Sequence, residues 1–265
     1  MGNERIRTVL EDLEQTLLQF IAKHHITHGE YRAATTLLID EVKAGEESLL
    51  FDVFFEAAAT DMSNTGRAGS IEAIEGPFYV PGAPRLEGPD YAMPERADEV
   101  GDVLVFTGRV TTTQGTPLAG VELDIWHADA NGEYSQIHYQ DPKWNLRGTL
   151  TTNAAGEFTV RTIFPPPYEI PKHGPTGRVL TSLGRHFFRP AHLHLKLRGS
   201  GIAEMTSQLY FPGGEYLEND VANAVRDGLM LEVARHGREE AASFGLSVDE
   251  FFTARYDFAI AVEAQ

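Results

Sequence analysis

His192 and His194 stand two residues apart in the run Arg189-Pro190-Ala191-His192-Leu193-His194-Leu195-Lys196-Leu197. Side chains on a β-strand alternate between faces, so a His-x-His pair points one way and can converge on one metal ion. The same spacing suits two ordinary packed histidines, and the rest of the chain has to decide. There is no cysteine, which excludes thiolate zinc sites, iron–sulfur clusters, disulfides and a cysteine nucleophile. Any metal must be held by nitrogen and oxygen. Two tyrosines join the histidines as polar residues that packing does not require. Tyr134 follows the Asn131-Gly132 turn, and Tyr168 ends the run Phe164-Pro165-Pro166-Pro167. Taken singly, each suits a core ring with its hydroxyl at the rim.

The elements that would position these residues fall into three stretches. Residues 1–65 read as helix. Ile6, Val9, Leu10, Leu13, Leu17, Phe20 and Ile21 recur at three- and four-residue steps, the stripe of an amphipathic helix. Thr27 and Glu30 form a capping box for a second helix that stops near Gly45. A third, from about Glu46 to Ala59, is apolar around most of its circumference and is expected to be buried on several sides. Residues 66–100 are punctuated by Gly66, Gly69, Gly76, Pro77, Pro81, Gly82, Pro84, Gly88, Pro89 and Pro94, which predicts a long ordered loop over the next domain. From residue 101 to 265 short apolar runs alternate with turn signals. They predict strands at 103–110, 120–127, 148–152, 157–163, 192–197, 207–211 and 254–262. The expected fold is mainly β: a β-sandwich core with an α-helical amino-terminal domain.

A chain of 265 residues with 42% apolar residues can build a sizeable core. The formal charge of −17 argues against a nucleic-acid partner, which needs a basic face. No transmembrane run or secretory leader is visible, so the expected compartment is the cytoplasm.

With these blocks in hand, the chain resembles the intradiol ring-cleavage dioxygenases, in their catechol and chlorocatechol branch. The resemblance rests on Ile74-Glu75-Gly76-Pro77-Phe78-Tyr79, Asp124-Ile125-Trp126-His127-Ala128 with Gly132-Glu133-Tyr134-Ser135, Pro167-Tyr168-Glu169-Ile170-Pro171 leading to Gly174-Pro175-Thr176-Gly177, and Gly184-Arg185-His186 through His194. It implies one non-haem ferric ion per chain, held by Tyr134, Tyr168, His192 and His194. It further implies that catechol is cleaved with O2 between its hydroxylated carbons to cis,cis-muconate, in the catabolism of aromatic compounds. By motif position Tyr168 is the ligand that leaves when substrate binds, Arg189 stabilises developing negative charge, and Gln208 is an amide beside the metal. Leu49, Asp52, Val53, Ile74, Pro77, Phe78, Arg189, Val221 and Ala222 are the expected substrate-binding residues. The amino-terminal helices are expected to form a homodimer interface that encloses phospholipid.

Ala222 and Trp126-His127-Ala128-Asp129 lean toward catechol as substrate, whereas the Pro167–Lys172 run and the chain length are shared with chlorocatechol enzymes; hydroxyquinol is a further alternative. Two readings from other classes stay open at this point. One is a non-catalytic transthyretin-like binding sandwich. The other is a zinc hydrolase built on His192 and His194, for which no motif supplies the third ligand that zinc takes.

Overall fold

The computed structural model describes residues 2–88 and 91–262. Pro89, one of the expected loop prolines, lies outside the described residues, as do positions 263–265. The chain divides into two compact units, 1–47 and 48–265.

The first unit holds α1 (Gly2–His24) and α2 (His28–Ala44). The capping box forms as its residue types dictate: Thr27 N–H donates to Glu30 Oε2 at 2.8 Å, and Glu30 N–H returns to Thr27 Oγ1 at 3.3 Å. Gly45 closes α2 in the left-handed conformation, φ 71°. The stripe predicted on α1 exists, and Ile6, Leu10, Leu13, Leu17 and Phe20 on it are exposed.

The second unit opens with helix at 49–64, in three parts: α3 (Leu49–Phe51), a π-helical turn (Asp52–Glu56) and α4 (Ala57–Asn64). Helical composition therefore runs to residue 64, while the compact unit begins at 48. The reason is packing: Leu49, Val53 and Ala57, four apart on one face, are buried in clusters with residues of the β core. The expectation of burial on several sides fails here, because Phe51 and Phe55 on the opposite face are exposed.

Ten strands follow. β1 (Val103–Thr112), β4 (Glu157–Ile163), β9 (Glu232–Gly237) and β10 (Glu250–Ile260) form one sheet in the order β4-β1-β10-β9. β2 (Glu122–Trp126), β3 (Arg147–Thr151), β7 (His192–Arg198) and β8 (Met205–Tyr210) form the other, in the order β3-β2-β7-β8. β5 (Tyr168–Glu169) and β6 (Phe188–Arg189) make a separate two-residue ribbon. Helix α5 (Pro175–Ser182) lies between them in sequence. The core forms between the large sheets from Leu104, Phe106, Leu123, Ile125, Val160, Leu193, Leu195, Leu197 and Phe258 among others. Alternation on β7 does the rest: its leucines face this core, so His192 and His194 face the other way, yet are 2% and 1% exposed.

The described part of the loop at 66–100 is laid along sheet edges. Leu86 N–H donates to Thr149 O and Met93 N–H to Arg161 O, each at 2.8 Å, and both side chains enter the core. Strand β9 and the β5–β6 ribbon are absent from the sequence-based strand set. Glu232-Val233-Ala234-Arg235-His236 is an exposed edge with no buried face to produce an apolar alternation.

Candidate active site

Register assembles the site. On β7, His194 pairs with Trp126 of β2 on one side and Gln208 of β8 on the other, and His192 pairs with Tyr210. Their Nε2 atoms lie 3.1 Å apart. His192 Nδ1 sits 2.7 Å from the Pro190 carbonyl oxygen, which can only accept. Nδ1 therefore carries the proton and Nε2 keeps its lone pair. Trp126 stacks on His194 with ring centroids 4.7 Å apart and planes 11° from parallel, which holds the ring's orientation. Burial, reinforced by the Arg189 guanidinium, pushes His192 down to about 3. Burial and the neighbouring His192 hold His194 well below the imidazole range. Both rings are neutral at pH 7, the form that ligates cations.

Tyr134 comes from the β2–β3 connection. Asp129 Oδ1 accepts the N–H groups of Asn131 and Glu133 at 2.9 and 3.0 Å, forming the turn. Gly132 has φ +80°, and a Cβ there would lie 2.8 Å from Tyr168 Cβ. Tyr134 Oη then reaches 3.2 Å from His194 Nε2. Tyr168 lies on β5, with its ring centroid 5.3 Å from that of Tyr134 and 5.6 Å from that of His192. Burial is the main cause raising both phenols, and at Tyr168 it is opposed by Arg189. A cation of high charge at these four side chains works in the opposite direction and favours phenolate.

Arg189 pairs directly with Tyr168 across the ribbon. Its Nη2 donates to Gln208 Oε1 at 2.9 Å and to Tyr210 Oη at 3.1 Å, and Nη1 lies 3.4 Å from His192 Nε2. Nε and Nη2 also bond Asp220 Oδ1 and Oδ2, both at 3.0 Å. Burial alone would raise the Asp220 carboxyl; the Arg189 guanidinium outweighs it and holds the group below the ordinary carboxylate range. Gln208 Nε2 faces His194 Nδ1 at 3.3 Å.

Above these groups lies a small, largely apolar, partly open cavity. Leu49, Asp52, Val53, Ile74, Pro77, Phe78, Arg189 and Ala222 line it, with Gly76, Tyr168, Ile170 and His194. Val221 does not: it is buried in the apolar cluster with Leu49, Val53 and Phe78, and its N–H donates to Phe188 O. Burial also raises the Asp52 carboxyl at the cavity wall.

Sequence reasoning missed Asp220, Tyr210 and Gly76. His127 is buried, with its ring nitrogens 2.7 Å from Ala128 O and 2.6 Å from Thr162 Oγ1. His138 Nδ1 accepts the Tyr134 N–H at 2.9 Å and so helps to form the tyrosine's loop. Among the described residues no group of three His, Cys, Asp or Glu side chains is placed to hold a metal. A hydrolytic zinc site would need such a third ligand here; a centre that accepts phenolate would not.

The model of a family described as "Dioxygenase" (Dioxygenase_C) matches residues 74–261. The chain is 40% identical over 235 residues to the chlorocatechol 1,2-dioxygenase of Rhodococcus opacus, covering 88% of this chain and 91% of that one. It belongs to the intradiol dioxygenase family. The dioxygenase is also 33% identical over 251 residues to the catechol 1,2-dioxygenase of Acinetobacter baylyi, covering 91% and 80% of the two chains. Among solved structures, the 3-chlorocatechol 1,2-dioxygenase of Rhodococcus opacus 1CP superposes with a TM-score of 0.90 at 39% identity, over 99% of this chain and 100% of the other. The mainly β core preceded by helices is thus the architecture of the family. No helix among the described residues of the dioxygenase is long and apolar enough to cross a membrane.

Proposed function

We propose that this dioxygenase cleaves catechol and small substituted catechols between the hydroxylated carbons, at a ferric centre held by Tyr134, Tyr168, His192 and His194. The observation that carries the reading is the convergence of these four side chains, of which Tyr168 and His194 line the cavity. His192 Nε2 and Tyr134 Oη both lie within 3.2 Å of His194 Nε2, and Tyr168 closes the fourth side. The donor set fits the ion: phenolate oxygen is a hard anionic ligand for a hard trivalent cation, and neutral imidazole completes the set. Two phenolates and a hydroxide would balance three positive charges without thiolate. A bound ferric ion would supply an electrophilic centre that chelates both substrate oxygens and makes the ring reactive toward O2.

The protein's own residues have distinct tasks in this reading. Tyr168 Oη would accept one of the two protons that a diol loses on binding as a dianion, and the hydroxide would take the other and leave as water. Its burial favours the neutral phenol once the cation is shared with substrate. Arg189 holds its guanidinium toward the negative charge of the dianion, and Asp220 fixes the fork that does so. Gln208 ties Arg189 to the His194 side of the site. Leu49, Val53, Ile74 and Phe78 exclude water and set the width available to ring substituents.

Ala222, small and on the cavity wall, supports catechol and its small derivatives as substrates. A second reading, preference for chlorocatechols, is favoured by relatives of that name at 40% and 36% identity. Oxygen uptake on catechol, methylcatechols, chlorocatechols and hydroxyquinol separates the two by their kcat/KM order. A visible phenolate-to-iron band is expected after ferric loading; a colourless, inactive loaded protein would end the ferric reading. The exposed apolar stripe on α1 supports a homodimer, with lipid enclosed at the interface. Sedimentation as a monomer at micromolar concentration would remove that part.

A further inference from the structure

Arg147 opens β3 and is 2% exposed. A buried guanidinium is normally matched by a carboxylate, yet among the described residues no Asp or Glu forms an ion pair with it. All its recorded acceptors are neutral. Nη1 donates to the Phe78 carbonyl at 2.8 Å. Nη2 donates to the Ser135 carbonyl at 2.9 Å, and Nε reaches the same oxygen at 3.2 Å and Ser135 Oγ at 3.1 Å. Phe78 belongs to the cavity wall, and Ser135 follows Tyr134. The two rings that this fork joins through their backbones are in contact, with centroids 4.8 Å apart. The guanidinium itself lies 5.8 Å from the Tyr134 ring centroid. Burial pushes Arg147 down only to about 10, so it remains a cation at pH 7.

We propose that Arg147 is a positioning residue that fastens the substrate wall at Phe78 to the loop carrying Tyr134, and so sets how wide a ring the cavity accepts. This rests on the functional reading above. A cation kept in the interior without an anion is costly, and carbonyls 57 positions apart in sequence are what it joins here. A planar fork bonds both in fixed directions; an ammonium donates from a single centre on a flexible stem and holds their spacing less firmly. Loosening the fork lets wall and tyrosine separate, which favours bulkier rings over catechol.

The test uses full-length, ferric-loaded parent, Arg147→Lys and Arg147→Met. Catechol and 3,5-dichlorocatechol are titrated anaerobically and followed by visible absorbance, so binding is read without turnover. Oxygen uptake then gives KM and kcat per bound iron. In both variants the ratio of the two dissociation constants should move by about tenfold toward the bulkier ring, with KM for catechol rising in step and kcat changing less than about threefold. Loss of folded protein lowers the active amount and leaves these ratios unchanged. If Arg147→Met does not fold, Arg147→Lys alone decides. Ratios within about twofold of the parent in every folded variant overturn the proposal. So does full rescue by lysine, which would assign the effect to charge rather than to the fork. A parent that shows no visible band overturns the functional reading and this proposal with it; a normal parent with unchanged variants overturns the proposal alone.

Discussion

Arg189 and Asp220 meet through two parallel hydrogen bonds, Nε to Oδ1 and Nη2 to Oδ2, each 3.0 Å, with side chains 4% and 1% exposed. The pair makes the cation of the site a fixed object rather than a mobile side chain. Asp220 also accepts the N–H groups of Ala222 and Ala224, at 3.2 and 3.0 Å. One carboxylate thus holds both the guanidinium and the backbone that presents Ala222 to the cavity.

Removing one partner of this pair leaves the other buried and uncompensated. Arg189→Ala and Asp220→Ala should each lose about 3–5 kcal/mol of stability in urea unfolding. The double change to Met at 189 and Leu at 220 should lose much less. Catalysis follows a different order: Asp220→Asn, if folded, should keep iron and lose about tenfold or more in kcat as the fork loosens. An Asp220→Asn enzyme with parental turnover would remove the carboxylate from the positioning of Arg189.

The two tyrosines should separate in their spectra. Tyr134→Phe removes the phenol beside His194 and should lose most ferric iron and its visible band. Tyr168→Phe should retain part of the iron, with a shifted band, while turnover falls by about 10²–10⁴, the range of a lost proton acceptor. Parental rates in Tyr168→Phe would end its role as base.

His127 yields a pH prediction away from the ligands. Burial is the largest cause pushing it down to about 4 from an ordinary value of 6.5, so the folded state holds it neutral while the unfolded chain takes up a proton. A depressed folded pKa means that its stabilising effect is complete above about 6.5 and is lost as pH falls toward 4. The loss amounts to roughly 3 kcal/mol at order-of-magnitude precision. Urea midpoints of the metal-free protein from pH 7 to 4 should fall more steeply than those of a folded His127→Gln variant. Parallel curves would mean that His127 takes up its proton in the fold as readily as in the unfolded chain.

Gly132→Ala tests the approach of the two tyrosine-bearing segments. The new Cβ meets Tyr168 Cβ at 2.8 Å, on a backbone with φ +80°. The chain pays about 1–2 kcal/mol for the conformation alone, and Tyr168 must shift. A displaced visible band and slower turnover are expected; an unchanged band would show that the ribbon yields without moving the phenol.

Much of this architecture is legible in the sequence because it rests on local patterns. Alternation alone puts His192 and His194 opposite Leu193, Leu195 and Leu197, and the Thr27–Glu30 box starts α2 where its residues say. What escaped has no local signature. Arg189 and Asp220 are 31 positions apart, and an ion pair across loops leaves no spacing to detect. A weaker signal was available: Asp before the small residues Val221-Ala222-Asn223-Ala224 suits a side chain that accepts backbone N–H groups ahead of it. Val221 sits in the apolar cluster behind Leu49, Val53 and Phe78 rather than among the lining residues, because motif position identifies a segment but not which neighbour faces the cavity. Strand β9 was missed because an exposed edge has no apolar face.

The β5–β6 ribbon divides the site into unequal halves. His192 and His194 are mounted in the interior of a four-stranded sheet, where any displacement must drag β2 and β8 along. Tyr168 and Arg189 are register partners on a ribbon two residues long, outside both large sheets. The sheet carries the two imidazoles, and the ribbon carries the phenol to which the proposed function assigns the proton. Tyrosine and arginine therefore share one short mount, and Asp220 pins its arginine end from outside the ribbon.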